Sequence, residues 1–164
     1  MKRNSKGFTL IELLIVVAII GIIVAIAIPN LLNAIQRAKQ RRSMGDIRSA
    51  ATAVEAYAVD LNRYPPAAGS YDLPFAMGTS TMATMATYIS PTYIKSVPRA
   101  DGWNSWFIYT TDTTGSAYIF ASGGKDGTVT VSAVGSPKGP TTDFNADIVY
   151  SNGSFLQWPE GVQR

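Results

Sequence analysis

The hydrophobic positions of the chain form three successive patterns. Residues 13–28 are entirely aliphatic apart from Gly21, and this run predicts a helix that is apolar on every side. From residue 30 to about residue 61, apolar positions return every three or four residues, which predicts an amphipathic continuation of the same helix. Pro65 and Pro66 then end the helical pattern, and short aromatic and β-branched runs predict strands.

The predicted strands lie at residues 106–110, 117–121, 128–134, 148–150 and 155–158, and a short helix is predicted near residues 82–88. Residues 111–116 read as a hairpin loop, and Asn152-Gly153 is the strongest hairpin signal in the chain. The fold class is therefore α+β, with one long N-terminal helix and a small antiparallel sheet packed on its second half. We expect at least two of the three tryptophans to pack the sheet onto the helix: Trp103, Trp106 and Trp158.

The apolar half of the helix has the length of a membrane span. Residues 8–28 would extend about 31 Å as a helix, enough to cross a bilayer core. A cleaved secretory signal peptide fits less well, because its apolar region is usually only about 7–15 residues long. Glu12 places one carboxylate near the outer end of this segment. A charge in hydrocarbon is costly, so we expect Glu12 to have a functional partner.

Charge and composition exclude several classes of function. The formal charge is +3, but residues 1–7 contain Lys2, Arg3 and Lys6, so the remainder is neutral and does not indicate nucleic-acid binding. Without His or Cys, the chain has no Ser-His-Asp arrangement, disulfide or thiolate metal site. We expect no enzyme activity. The basic cluster at residues 37–42 has three interpretations: a solvated helix face, contact with acidic lipid headgroups or neighbouring subunits, or, less well supported, DNA binding.

The N-terminus carries a specific resemblance to a known family. Residues 6–12 read Lys-Gly-Phe-Thr-Leu-Ile-Glu and resemble the class III leader and cleavage site of type IV pilins and type II secretion pseudopilins. The resemblance implies a leader at residues 1–7, cleaved by a prepilin peptidase between Gly7 and Phe8, with N-methylation of Phe8. It also implies a transmembrane and filament-core helix at residues 8–29 and a globular head at residues 30–164.

The same resemblance implies a homo-oligomeric helical filament with the pilin fold. Glu12 would pair with the Phe8 amine of a neighbouring subunit, so that a misaligned subunit leaves both charges unpaired. Pro29 falls where the family commonly has a proline, and both residues are predicted assembly determinants. The implied partners are an inner-membrane assembly platform with its ATPase, and minor pseudopilins or pilins. The precursor would span the inner membrane once, with its N-terminus cytoplasmic and its head periplasmic, before assembly into a periplasmic pseudopilus or cell-surface pilus.

The head resembles the major, G-type pseudopilin at residues 63–65, 93–98 and 122–127. Residues 101–104 read Asp-Gly-Trp-Asn and depart from the usual Asp-Pro-Trp-Gly. The predicted function is a structural subunit of a type II secretion pseudopilus that drives protein export. The alternative is a type IV pilin that serves adhesion, twitching motility or DNA uptake. A membrane-anchored binding module or enzyme is a remote alternative.

The resemblance also implies a calcium site in the loop at residues 122–127. Calcium prefers hard oxygen ligands, which the chain offers in and beyond that loop. The candidate ligands are Asp126 and Asp147, followed by Asn145 and Asp143. The alternative interpretation is that these are ordinary turn residues.

Overall fold

The computed structural model describes residues 7–67, 82–112, 114–129, 139–161 and 163. The chain divides into two compact units, Met1–Ile35 and Gln36–Arg164. The helices are α1 (Leu10–Leu61) and α2 (Met82–Ile89), and a single 3₁₀ turn covers Gly124–Asp126. The strands are β1 (Ile108–Thr111), β2 (Tyr118–Ser122), β3 (Gly139–Thr141), β4 (Ile148–Ser151) and β5 (Ser154–Pro159).

The long helix and the short helix are both confirmed. α1 contains 52 residues and continues through Pro29. In the first unit, every residue from Gly7 to Ile35 is exposed. In the second unit, α1 buries one face, whose side chains recur at the three- and four-residue steps of a helix: Gln40, Ser43, Ile47, Ala50, Ala51, Ala53, Val54 and Tyr57.

The sheet has five strands in the order β1-β2-β4-β5-β3. Three neighbouring pairs are antiparallel, as predicted, whereas β3 adds itself to β5 in parallel. The sheet is therefore mixed. Pro140 fits an edge strand because it has no N–H to donate. Of the strand predicted at residues 128–134, Thr128 and Val129 are not in a strand, and residues 130–134 lie outside the described residues.

The hairpin predicted at Asn152-Gly153 is confirmed. β4 pairs antiparallel with β5, and Ser151 faces Ser154 across a two-residue turn. The backbone φ angles of Asn152 and Gly153 are 44° and 90°. Two successive left-handed residues are what a type I′ turn requires, and its twist matches that of the strands it joins.

Alternate side chains of the sheet enter two hydrophobic clusters. The larger cluster lies against α1 and α2 and contains Tyr109, Tyr118, Phe120 and Tyr150 from the strands. The smaller cluster, on the other face, contains Ile119, Ala121, Val129 and Val149. Burial on both faces explains why all five residues of β2 are buried. The loop that follows β2 therefore starts from a fully buried strand.

The expectation for the tryptophans is wrong in its main point. Trp106 is 67% exposed, and tyrosine and phenylalanine rings form the core instead. Each remaining indole N–H donates to a polar side chain: Trp103 to Gln36 at 2.6 Å and Trp158 to Glu160 at 3.1 Å. Trp103 does contact α1, but through this hydrogen bond. An indole N–H needs a partner when buried, which favours positions at the edge of the core.

Candidate functional site: the exposed apolar helix and its N-terminal cap

The predicted cleavage site lies just before α1. Gly7, Phe8 and Thr9 precede the first helical residue, Leu10, and all three are exposed. Apart from its chain neighbours, no described atom lies within 4 Å of where a Cβ on Gly7 would be.

Thr9 and Glu12 form a capping box at the start of α1. The backbone N–H and the hydroxyl of Thr9 donate to Oε2 of Glu12 at 2.8 and 2.7 Å. In return, the backbone N–H of Glu12 donates to Oγ1 of Thr9 at 3.3 Å. The first turn of a helix leaves N–H groups without intrahelical partners, and this reciprocal pair satisfies two such donors.

Sequence reasoning identified Glu12 but missed Thr9. The signal was present, since Ser/Thr-x-x-Glu before an apolar run is the pattern of a capping box. Glu12 therefore has two separable properties within one subunit. Its oxygen atoms cap the helix, and its negative charge is favoured by the positive end of the helix dipole.

The surface of α1 beyond this cap is apolar on all sides. An 18-residue window within the helix reaches a mean hydropathy of 3.2, and none of it is buried. By length and composition this segment can cross a membrane. Large apolar side chains remain exposed as far along as Leu31, Leu32 and Ile35. Because water is a poor solvent for so large an apolar surface, lipid or other apolar helices must cover it.

Pro29 lies within this apolar surface without ending the helix. It has no N–H to donate to the carbonyl of Ala25, four residues earlier. The side-chain amide of Asn30 donates to the carbonyl of Ile26 at 3.2 Å, which adds a polar contact next to the missing one. A missing helix bond is tolerated in an apolar environment when nearby groups compensate.

The two segments that carry the predicted calcium ligands lie side by side. The backbone N–H of Lys125 donates to the carbonyl of Phe144 at 2.9 Å. Gly124 has a φ of 62°, and a Cβ there would lie 2.8 Å from the carbonyl oxygens of Phe144 and Ala146. The fold thus brings the turn that contains Asp126 against residues 143–147.

The four candidate ligands have different environments. Asp147 is 5% exposed, whereas Asp126, Asp143 and Asn145 are exposed. Asp126 and Asp143 each accept a backbone N–H two residues later, from Thr128 and Asn145, at 2.9 Å. Within the described part of the chain, no three acidic side chains gather closely enough to hold a metal. A calcium ion here would need carbonyl or amide oxygens for much of its coordination, which calcium accepts.

Residues 101–104 read Asp-Gly-Trp-Asn where Asp-Pro-Trp-Gly was expected, and the structure gives a reason for the glycine at position 102. A Cβ on Gly102 would lie 2.4 Å from the backbone oxygen of Lys39, so this loop touches the backbone of α1 itself. The N–H of Gly102 donates to Oγ of Ser43 at 2.9 Å, which a proline could not do. Asp101 is 2% exposed and accepts hydrogen bonds from the N–H groups of Trp103 and Ser105. These contacts fix the loop on the helix.

Known protein families match both the N-terminal segment and the head of this chain. Residues 2–28 match the prokaryotic N-terminal methylation motif, and residues 30–150 match the family model of type II secretion system protein G. The type II secretion system core protein G of Aeromonas hydrophila is 31% identical over 122 residues, which cover 74% of this chain and 85% of that protein. The protein of the same name from Escherichia coli K12 is 30% identical over 125 residues, covering 76% and 84%.

Type IV pilins resemble a shorter part of the chain more closely. The type IV wide pilus major component PilA4 of Thermus thermophilus is 52% identical over 62 residues, which cover 38% of this chain and 47% of that protein. The match to protein G, by contrast, extends through the amphipathic half of α1 and into β4. The chain therefore belongs to the type II secretion system protein G family.

Proposed function

We propose that this protein is a structural subunit of a type II secretion pseudopilus, assembled through its apolar N-terminal helix to drive protein export. One observation carries the proposal. Between Leu10 and Ile35 the helix is apolar and exposed on every side, and the exposed residues Gly7 and Phe8 lie just before it. Lipid would cover this surface before assembly, and the helices of neighbouring subunits would cover it afterwards.

Glu12 would fix the register between subunits. Cleavage after Gly7 creates an ammonium group at Phe8, and the Glu12 carboxylate of one subunit would pair with the ammonium of the next. Both bonds from Thr9 go to Oε2 of Glu12, and a carboxylate has about four acceptor sites. The intersubunit pair can therefore form while the helix cap stays intact. In an apolar filament core, a misplaced subunit would leave two charges unpaired, which is strongly unfavourable.

The pathway requires several partners. A prepilin peptidase would cleave between Gly7 and Phe8 and methylate the new amine, and the exposure of this segment supports its access. An inner-membrane platform with its ATPase would then extract the subunit into a filament that also contains minor pseudopilins. The precursor would span the inner membrane once, with its N-terminus in the cytoplasm and its head in the periplasm.

The test separates the charge of Glu12 from its capping role. Gln at this position can still cap the helix but carries no charge, whereas Leu does neither. We expect Glu12→Gln and Glu12→Leu both to lose filament assembly and secretion in a strain that lacks the wild-type protein. Thr9→Ala is the matched control, since it weakens the cap and keeps the charge. Normal filament yield from Glu12→Leu would refute the pairing, and normal yield from Glu12→Gln alone would assign Glu12 to capping.

A type IV pilus subunit is the second candidate. It is favoured by the 52% identity to a pilus component, which covers 38% of this chain. Electron microscopy of cells that produce the protein at native level, with and without a working secretion machine, separates the two. Long surface pili together with unimpaired secretion in a deletion strain would favour the pilus.

We further propose that calcium binds between the two adjacent loops, with Asp126 and Asp147 as ligands and Asn145 or Asp143 completing the set. The hydrogen bond from Lys125 to Phe144 supports this, because it joins the two loops that carry them. Calcium would then stabilise the full-length protein in detergent, and excess EGTA would lower its melting temperature. An unchanged melting temperature in EGTA rules the site out, and Asp126→Asn should reduce any calcium effect.

A further inference from the structure

A basic cleft lies beside α1, apart from the features described above. Its volume is about 290 Å³, and it is lined on one side by Arg37 and Arg41 and on the other by the segment after β5. The two arginines are one helical turn apart and so lie on the same side of α1. The chain thus places two guanidinium groups at the wall of one cleft.

The opposite wall of the cleft is held in place by Gln163. Its side-chain amide donates to the carbonyls of Thr141 and Glu160 at 2.7 and 2.9 Å, and its oxygen accepts from Gln40 at 3.1 Å. Both Gln40 and Gln163 are buried. The cleft is therefore a built feature, and it does not depend on the placement of surface side chains alone.

Arg37 has a buried nitrogen atom, Nε, without a hydrogen-bond partner among the described residues. The ion pair found in this part of the helix joins Arg42 to Asp46 and leaves Arg37 and Arg41 out. The carboxylate that lines the cleft belongs to Glu160, whose Oε2 accepts the indole N–H of Trp158. A charged group with an unsatisfied buried donor is costly, and an anion bound beside the guanidinium would offset part of that cost through its charge.

The position of the cleft along α1 indicates where the anion comes from. Leu31, Leu32 and Ile35 are 61%, 54% and 42% exposed, so the apolar surface continues almost to Arg37. From residue 10 to residue 35 the helix extends about 39 Å, more than a hydrocarbon core of about 30 Å and close to the thickness of a whole bilayer. If the apolar segment spans the bilayer, Arg37 lies at the depth of the lipid headgroups.

We propose that this cleft binds the phosphate of an anionic phospholipid headgroup on the side of the membrane that holds the head. Guanidinium groups bind phosphate through two parallel hydrogen bonds, which an ammonium cannot match. The bound lipid would hold the subunit at a fixed depth until assembly removes it from the bilayer.

Native mass spectrometry of the full-length protein in a neutral detergent tests this directly. Short-chain phosphatidylglycerol, phosphatidylcholine and inorganic phosphate are titrated separately. We expect retention of one phosphatidylglycerol per subunit, with weaker retention of phosphatidylcholine and inorganic phosphate. Equal retention of the two lipids would overturn the proposal. If inorganic phosphate binds as tightly as phosphatidylglycerol, the cleft is a general phosphate site and the assignment to lipid is wrong.

Two double variants separate the cleft from general charge. Arg37→Gln/Arg41→Gln removes the pair in the cleft, and Lys39→Gln/Arg42→Gln removes the same charge from the same stretch of helix. We expect the first to weaken phosphatidylglycerol binding at least about tenfold, as for loss of a charge-assisted hydrogen bond. The second should weaken it less than about fivefold, because neither Lys39 nor Arg42 lines the cleft. If both double variants lose the same fraction of their affinity for phosphatidylglycerol, general surface charge explains the binding, and the proposal is wrong.

Two further results keep the test decisive. If the double variant in the cleft does not fold, Arg41→Gln alone serves, because Arg41 is exposed. If that variant or the double variant retains the lipid but no longer forms filaments, the cleft binds a carboxylate of a neighbouring subunit, and the lipid proposal fails. The lipid-binding readouts require neither filaments nor secretion, so a failure of the lipid proposal is distinguishable from a failure of the proposed function.

Discussion

The two halves of α1 have the same backbone and opposite surroundings. In Leu10–Ile35, all side chains are exposed, and aliphatic residues cover every side of the helix. In Gln36–Leu61, one face is buried, and it contains small and polar residues such as Ser43, Ala50 and Ala51. The first half is apolar, and among the described residues none of its side chains is buried, whereas the second half is less apolar and contributes to the core of the head.

The comparison of the two halves shows that the more hydrophobic half of a helix need not be the half that is buried. Alanines at positions 50, 51 and 53 let large rings approach α1 closely, and the sheet supplies them as Tyr109, Tyr118 and Phe120. A small-to-large match of this kind fills a core to high density. Within the described part of the chain, the aliphatic half stays exposed, and such a surface needs lipid or other apolar helices to cover it.

The largest contrast should come from one substitution in each half. Ile47 is fully buried and Ile19 is 53% exposed. Ile47→Ala should lower the free energy of unfolding of the head by about 2–5 kcal/mol, because it leaves a cavity. Ile19→Ala should leave it unchanged. Thermal denaturation of both full-length variants in detergent provides the measurement, and similar losses from the two would break the contrast.

Two glycines offer a second contrast: Gly45 lies in the second half of α1, and Gly102 lies in the loop that contacts this half. Gly102→Ala should cost about 1–3 kcal/mol, because its Cβ would meet the Lys39 backbone at 2.4–2.8 Å. Gly45→Ala is the matched control. A Cβ there meets nothing within 4 Å, and alanine favours the helix, so stability should rise by up to about 1 kcal/mol. Chemical denaturation checks both signs, and a stable Gly102→Ala variant would mean that the loop can move away from α1.

The cap predicts a smaller and local effect. Thr9→Ala should destabilise the first turn of α1 by about 1 kcal/mol while the head keeps its melting temperature. Hydrogen exchange at the amides of residues 10–13 measures the effect. Thr52→Ala, which removes a hydroxyl that bonds to the Arg48 carbonyl, serves as the control. Faster exchange in both variants would argue against a specific cap.

The smallest predicted effect concerns pH and belongs to the head. Burial would raise the pKa of Asp112, but hydrogen bonds from Ser116, Thr114 and the Ala117 N–H outweigh it and hold that pKa well below its usual range. A lowered pKa stabilises the fold at neutral pH, and this contribution is lost as pH falls below about 4, the pKa of an unfolded aspartate. Asp112→Asn should flatten the decline of melting temperature below pH 4. An unchanged acid profile would contradict this role.

Local signals predicted much of the molecule, because they depend on near neighbours in the chain. The span of α1 follows from its apolar pattern, and the β4–β5 turn follows from Asn152-Gly153. The capping box at Thr9 and Glu12 was also readable in the sequence, although it was missed. The turn and the cap are each specified within four residues, and the span of α1 by a pattern that repeats along the helix.

Features that depend on distant contacts were not predicted. β3 is three residues long and contains Pro140, and it is a strand only because β5 lies beside it. Gly102 is required by the backbone of Lys39, far away in the sequence. The positions of Trp103 and Trp158 depend on hydrogen bonds from their indole N–H groups to Gln36 and Glu160, which hydrophobic size alone does not predict. The calcium ligands and the assembly role of Glu12 stay predictions.

The strand order has a consequence for the order of synthesis. β3 is made before β4 and β5, yet its pairing partner is β5, and β4 must lie between β2 and β5. The chain therefore cannot close its sheet until residues 148–159 have been synthesised. Until then, β2 exposes one unpaired edge, which is a template for pairing with other chains. A ribosome that stalls before this final hairpin would release a head in which one edge of β2 is unpaired.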